Sequence, residues 1–201
     1  MEIIYYLDLL GTFSFAVSGA VSAAKKKFDL FGALFIASVT SIGGGTVRDV
    51  ITGNCPVFWI TDANYFGAVI IAAALTYLFA RRIARYEGFL LIFDAIGIGV
   101  FTLVGMQKAI NLGIPQYFAI VMGVITAVMG GIFRDVFCND VPLILQKEIY
   151  ATACFLGAVF YLVLQKLQIS QPLSVYISIL LIIAVRLFSI KLKLSLPKMP
   201  A

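Results

Sequence analysis

Long apolar runs alternate with short polar breaks along this chain, and the runs have the length that a bilayer demands. Uncharged stretches cover residues 30–47, 63–80, 109–133, 149–165 and 167–185. Two further apolar stretches, about 3–24 and 88–107, are each interrupted by one aspartate, Asp8 and Asp94. A helix crossing a bilayer needs roughly 20 apolar residues, and all seven stretches approach that number. The pattern predicts an all-α integral membrane protein with seven transmembrane helices, a single transmembrane domain over residues 1–201.

Sliding the chain along itself by 86 positions adds an internal repeat. Asp8 falls on Asp94, Gly11 on Gly97, Phe15 on Phe101, Gly19 on Gly105, Ala33 on Ala119 and Thr40 on Thr126. Gly44, Gly45, Arg48, Asp49 and Val50 then fall on Gly130, Gly131, Arg134, Asp135 and Val136, and Pro56 lands on Pro142 without any insertion. Scattered glycine matches arise by composition, but a GGxxRDV block against GGxxRDV at matched helix positions points to duplication. Repeat one spans about 3–80, repeat two about 88–165, and the seventh helix, about 167–188, has no counterpart. Three spans per repeat is an odd number, so the second copy enters the membrane from the opposite side. The expectation is two inverted three-helix repeats plus a seventh helix, an architecture that holds its solute near the midplane between repeats.

Composition narrows the class. The chain is 62% hydrophobic and 12% charged, against roughly 25% charged in soluble domains, so a water-soluble globule would lack polar surface. Glu2 stands where a signal peptide carries basic residues, so the first helix is expected to be retained. Histidine is absent and the three cysteines, Cys55, Cys138 and Cys154, form no CxxC pattern. These features disfavour an enzyme, and no metal or other cofactor is expected. A net charge of +5 could suggest nucleic acid, but its distribution argues otherwise. With the N-terminus outside, the inner side holds Lys25, Lys26, Lys27, Arg81, Arg82, Arg85, Arg134, Lys147, Arg186, Lys191, Lys193 and Lys198, and the outer side Arg48, Lys108 and Lys166. Such a bias follows the positive-inside rule and predicts N-out and C-in. The clusters Lys25–Lys27 and Arg81, Arg82, Arg85 also offer contacts to anionic lipid headgroups. Trp59, Tyr65, Tyr86 and Tyr150 fall near span ends, as interfacial anchors do.

The candidate chemistry sits in the duplicated block. Gly43, Gly44 and Gly45 in the second span, and Gly130 and Gly131 in the fifth, are expected to interrupt their helices, since glycine gives up roughly 1 kcal/mol of helix propensity. Pro56 and Pro142 then end short second halves. The alternative is that the small residues only let helices pack closely. Arg48 and Arg134 follow the glycines, and buried charges of this kind mark ion or substrate pathways unless they serve as structural bridges. Adjacent residues on a helix do not face each other, so each arginine is expected to find its partner elsewhere, among Asp8, Asp49, Asp94 and Asp135. For Asp8 and Asp94, pairing with arginine ranks first. Ser14, Ser18, Ser38, Ser41, Thr40, Thr46 and Thr126 add hydroxyls near the breaks, as possible cation ligands together with freed carbonyls.

Two three-helix repeats, GGGTVRDV in the second helix, GGIFRDVF in the fifth and a seventh helix together resemble the prokaryotic branch of the trimeric intracellular cation channel family. Related bacterial sequences also carry the label of a glycine-transporter-like domain. The resemblance implies a homotrimer in the plasma (inner) membrane of a prokaryote, with one pore per protomer lined by glycine-kinked second and fifth helices. It implies conduction of monovalent cations, potassium or sodium, with potassium foremost. It places the kinks at Gly43 to Gly45 and Gly130 and Gly131, and pore-facing bases at Arg48 and Arg134. The competing reading is a secondary transporter of a small solute such as glycine, working by alternating access; the short chain favours the channel.

Overall fold

The computed structural model describes residues 2–83, 88–146 and 149–194. Ten helical segments account for most of them: α1 (Glu2–Lys25), α2 (Leu30–Thr52), α3 (Phe58–Thr61), α4 (Ala63–Leu78), α5 (Ala80–Ile83), α6 (Phe89–Asn111), α7 (Gln116–Phe137), α8 (Leu143–Gln146), α9 (Ala151–Lys166) and α10 (Gln171–Leu192). Among the described residues, α1, α2, α6, α7 and α10 are long and apolar enough to cross a bilayer. The third apolar stretch of each repeat is shorter than expected. α4 and α9 have 16 residues each, about 24 Å of helix against a hydrocarbon core of about 30 Å.

Helix ends follow local chemistry. Asp29 caps α2, its Oδ1 accepting from the Gly32 N–H at 2.7 Å, which satisfies one of the orphan donors of a first turn. At the other end Gly53 takes φ +70° and the Asn54 N–H reaches the Asp49 carbonyl at 2.9 Å, the left-handed ending that glycine favours. At the equivalent place after α7, Asn139 takes φ +53° and the Asp140 N–H reaches the Asp135 carbonyl at 2.8 Å. These residues, and not Pro56 and Pro142, turn the chain out of the helix.

The expected helix breaks are absent. α2 runs unbroken through Gly43, Gly44 and Gly45, and α7 through Gly130 and Gly131. Packing explains why the propensity loss is tolerated. A Cβ on Gly44 would overlap the Thr126 carbonyl oxygen, and a Cβ on Gly130 would overlap the Thr40 carbonyl oxygen. The two helices therefore meet backbone to backbone, which only small residues permit. Phe133 fills the space beside Gly43, and Phe35 and Phe137 meet edge to face at 5.4 Å. Low partners on one helix meet high partners on the other, so α2 and α7 run antiparallel.

The first helices of the repeats repeat this reciprocity. Phe15 lies against Gly97 and Phe101 against Gly11, and the two rings pack edge to face at 5.2 Å. Gly19 faces the Thr40 hydroxyl and Gly105 the Thr126 hydroxyl. Phe15 touches the counterpart of Gly11 and Gly11 the counterpart of Phe15, the crossed exchange that gives a contact between the repeats the form of a two-fold interface. α10 joins the bundle from one side, packing on α6 and α9; Ile182 fills the space beside Gly157, and Ile183 that beside Gly99.

Replacing Gly44 or Gly130 by alanine is expected to lower stability by about 1–3 kcal/mol through overpacking. The same change at Gly67, where an added Cβ meets nothing within 4 Å, is expected to be neutral or slightly stabilising. Unfolding midpoints in detergent micelles compare the three; equal midpoints for Gly44→Ala and Gly67→Ala would contradict the close-packing account.

Candidate functional site

The duplicated motif builds two charge clusters that are closed off from solvent. Arg48 on α2 donates from Nε to Asp49 Oδ1 at 2.9 Å, with Nη2 at 2.8 Å from the same oxygen. Arg134 on α7 donates from Nε to Asp135 Oδ1 at 2.8 Å. Each arginine thus takes its own neighbour as a partner, contrary to the expectation from helix geometry. That rule concerns the directions of Cβ atoms; a guanidinium on a long flexible stem turns back along the helix. The second oxygen of each aspartate has a different task. Asp49 Oδ2 accepts from the Phe58 N–H at 3.0 Å, and Asp135 Oδ2 from the Leu143 N–H at 2.8 Å. One carboxylate therefore orients an arginine and also pins the segment that follows the proline.

Asp94 meets the ranking given to it: its Oδ1 accepts from Arg134 Nη1 at 2.8 Å. Asp8 does not. Its Oδ2 accepts from Lys108 Nζ at 2.5 Å and from the Tyr65 hydroxyl at 2.8 Å. Lys108 lies in the last turn of α6 with a side chain 26% exposed. Tyr150 matches Tyr65, donating to Asp94 Oδ1 at 3.1 Å. Both tyrosines are buried, 4% and 1% exposed, and neither is an interfacial anchor. Their equivalence is hidden in the sequence because the second repeat is one residue shorter after Pro142, so the offset changes from 86 to 85. That slip was the available signal.

The two clusters differ in how tightly the arginine is held. Arg134 bonds Asp94, Asp135 and the Ser18 hydroxyl, the last at 2.7 Å. Arg48 has only Asp49, and its two terminal nitrogens make no hydrogen bond among the described residues. Its guanidinium stands 5.5 Å from the Phe58 ring centre, and Lys108 Nζ stands 4.9 Å from the same centre. The absence of a Cβ on Gly45 makes room for that ring.

Apart from Ser18, which accepts from Arg134 and donates to the Leu90 carbonyl, the candidate hydroxyls serve their own helices. Ser14, Thr40, Thr46 and Thr126 donate to the carbonyls of Leu10, Ile36, Ile42 and Met122 at 2.6–2.8 Å, the usual back-bond of Ser and Thr. Ser38 and Ser41 do likewise. Thr46 also accepts from the Trp59 indole at 3.0 Å. With the ladder intact, the expected freed carbonyls are not available beside these groups.

Among the expected surface bases, Lys25, Lys26 and Lys27 are exposed at the end of α1, and Lys26 pairs with Asp140 at 2.6 Å. The Arg81 and Arg82 side chains, together with Arg85, Tyr86, Lys147 and Lys198, lie outside the described residues. Arg186, expected on the inner side of the membrane, is 0% exposed on α10, a buried charge that sequence reasoning did not single out. No group of three or more Cys, Asp or Glu among the described residues is placed to hold a metal ion.

Charges so enclosed depend on their partners. Asp94→Ala removes a counter-charge from a fully buried arginine and is expected to cost about 3–5 kcal/mol. Lys26→Ala breaks an exposed pair and is expected to cost about 0–1 kcal/mol. Denaturant titration in mixed micelles checks the difference, and similar losses for both would show that the Asp94–Arg134 pair is not the stronger constraint.

Comparison with known proteins places this arrangement. The glycine transporter family model matches the chain twice, over residues 5–81 and 91–166. The chain is 42% identical over 197 residues to a UPF0126 membrane protein of Vibrio cholerae, covering 98% of this chain and 82% of that protein. It is 37% identical over 201 residues to the UPF0126 inner membrane protein YadS of Escherichia coli, covering 97% and 95%. Among solved structures it is similar to the trimeric intracellular cation channel orthologue from Rhodobacter sphaeroides, with a TM-score of 0.89, 34% identity and coverage of 96% and 100%. A second similar structure, from work on conductance through these cation channels, has a TM-score of 0.84, 32% identity and coverage of 98% and 97%. This integral membrane protein belongs to the glycine transporter (UPF0126) family and shares its fold, over nearly its whole length, with the prokaryotic trimeric intracellular cation channels.

Proposed function

We propose that the chain is a cation channel of the bacterial inner membrane, conducting potassium foremost and sodium among other monovalent ions. The observation that carries this reading is the likeness to solved cation channels across nearly the whole chain at 34% identity. In this reading the protein is a homotrimer with the N-terminus outside, and α4 and α9 complete seven spans arranged as two inverted three-helix repeats plus α10. The antiparallel packing of α2 on α7 and the family match to each half support the inversion. Each protomer carries its own path along α2 and α7, past Gly43, Gly44, Gly45, Thr46, Arg48, Gly130, Gly131 and Arg134, with Ser14, Thr40 and Thr126 beside them.

The geometry refines how such a path works. Unbroken helices in backbone contact at Gly44 and Gly130 leave no opening made by unwound backbone, so conduction calls for a relative shift of α2 and α7. Arg48 is the mobile charge in that shift: it has one carboxylate partner, whereas Arg134 has two carboxylates and a hydroxyl. A basic group in a cation path sets a barrier, and moving or screening it lowers that barrier.

A second reading, a carrier of glycine, is favoured by the description of the family model. Planar-bilayer recording of the purified protein in asymmetric potassium chloride separates the two. Unitary currents reversing near the potassium equilibrium potential are expected. A silent bilayer together with uptake of labelled glycine into proteoliposomes would replace the channel by the carrier. In the channel, Arg48→Gln is expected to change unitary conductance by roughly twofold or more at low salt while the protein still assembles. Unchanged currents would remove Arg48 from the path.

A further inference from the structure

Among the described residues, the repeat accounts for every buried charge except one. Asp8, Arg48, Asp49, Asp94, Arg134, Asp135 and Arg186 are all buried, and six of them pair off under the 86-residue offset. Arg186 stands on α10, the helix that the duplication does not supply. A buried arginine is an expensive way to fill space, since a similar apolar side chain packs without desolvating a charge. Its presence at 0% exposure calls for a reason beyond packing.

Charge balance gives one. Among the described residues, the first cluster sets Asp8 and Asp49 against Arg48, which leaves one negative charge, and Lys108 cancels it through its ion pair with Asp8. The second cluster sets Asp94 and Asp135 against Arg134, again leaving one negative charge. The position 86 residues before Lys108 is Ser22, a neutral side chain that donates to Cys138 Sγ at 3.3 Å. The repeat therefore provides no cation where symmetry would place it.

Arg186 approaches the second cluster by another route. Its Nη1 donates to the Ile149 carbonyl at 2.7 Å, and its guanidinium stands 4.6 Å from the Tyr150 ring centre. A cation over an aromatic face is an attractive contact that strengthens when water is excluded. The hydroxyl of the same tyrosine donates to Asp94 Oδ1, which also accepts from Arg134. The chain Arg186, Tyr150, Asp94, Arg134 thus ties α10 to the motif arginine of α7.

We infer that α10 supplies Arg186 as the missing cation of the second cluster, where it positions Tyr150 against Asp94 and sets the local charge that a permeating cation meets. The permeation part rests on the channel reading; the charge balance does not. Arg186 is a positioning residue, acting on the path through Tyr150 and through its field.

The test compares wild type, Arg186→Gln, Arg186→Lys and the double variant Arg186→Gln/Ser22→Lys, by single-channel recording and by melting temperature in detergent. Arg186→Gln leaves the second cluster with one negative charge. Current entering from that end is expected to rise about twofold relative to the opposite direction in about 0.1 M potassium chloride. The asymmetry fades in about 1 M salt as the screening length falls from about 10 Å to about 3 Å. Arg186→Lys and the double variant are expected to restore the wild-type current–voltage shape. An unchanged shape for Arg186→Gln at low salt overturns the inference, whatever its melting temperature, because a merely structural residue would alter stability alone. If Arg186→Gln does not assemble, the double variant decides: assembly with wild-type currents supports the inference, and failure to assemble overturns it. If wild type itself passes no current, the channel reading falls, and melting decides the charge balance. A drop of about 5–10 °C for Arg186→Gln with recovery in the double variant supports it, and a drop without recovery overturns it.

Discussion

Charge enclosed in a membrane bundle must be neutralised where it stands, and that requirement organises this protein. The aspartate after each motif arginine meets it economically, because its two oxygens face different duties. One holds the guanidinium, the other accepts a backbone N–H from the segment beyond the proline. Removing the carboxylate would therefore leave a buried charge and an untethered connection at once. The same demand explains the tyrosines. The phenols of Tyr65 and Tyr150 add a second donor to the same oxygen of Asp8 or Asp94 that holds the cation, which strengthens the enclosed carboxylate.

Close packing of α2 on α7 follows from where these charges must sit. For Arg48 and Arg134 to lie inside the bundle, their helices must cross near the motif, and the glycines let them do so at backbone distance. Glycine's weaker helix propensity is worth about 1 kcal/mol per residue, a loss that van der Waals contact along two facing helices offsets. The helices consequently stay regular, with each threonine bonded to its own backbone. The crossing joins two intact helices, and of the two motif arginines Arg48 has fewer partners.

Symmetry in this molecule is exact in plan and broken in detail. Phe15 and Phe101, Gly44 and Gly130, and Asp49 and Asp135 exchange roles as a two-fold relation requires. The cations that complete the two clusters do not. Lys108 pairs directly with its aspartate, while Arg186 works through a tyrosine from a helix outside the repeat. The Phe58 ring is near two cations in one half; its counterpart Leu143 in the other is an aliphatic residue. The two halves can thus present different fields to a solute even though one plan built them.

The sequence by itself determined the membrane class, the run lengths of the main helices, the duplication and the motif residues that become buried. These are properties of hydrophobic periodicity and self-similarity, both of which are local or visible by sliding the chain on itself. Tertiary structure alone decided the partners. Arg48 turns to Asp49, Asp8 to Lys108 and Tyr65, and Arg186 goes inside, because each choice depends on which distant side chains the packing brings within reach. The glycine runs read as breaks until the facing Thr126 and Thr40 carbonyls are known. The equivalence of Tyr65 and Tyr150 stays hidden behind a one-residue slip. Propensity acts on a few neighbours and is weak; burial and pairing act across the whole bundle and prevail.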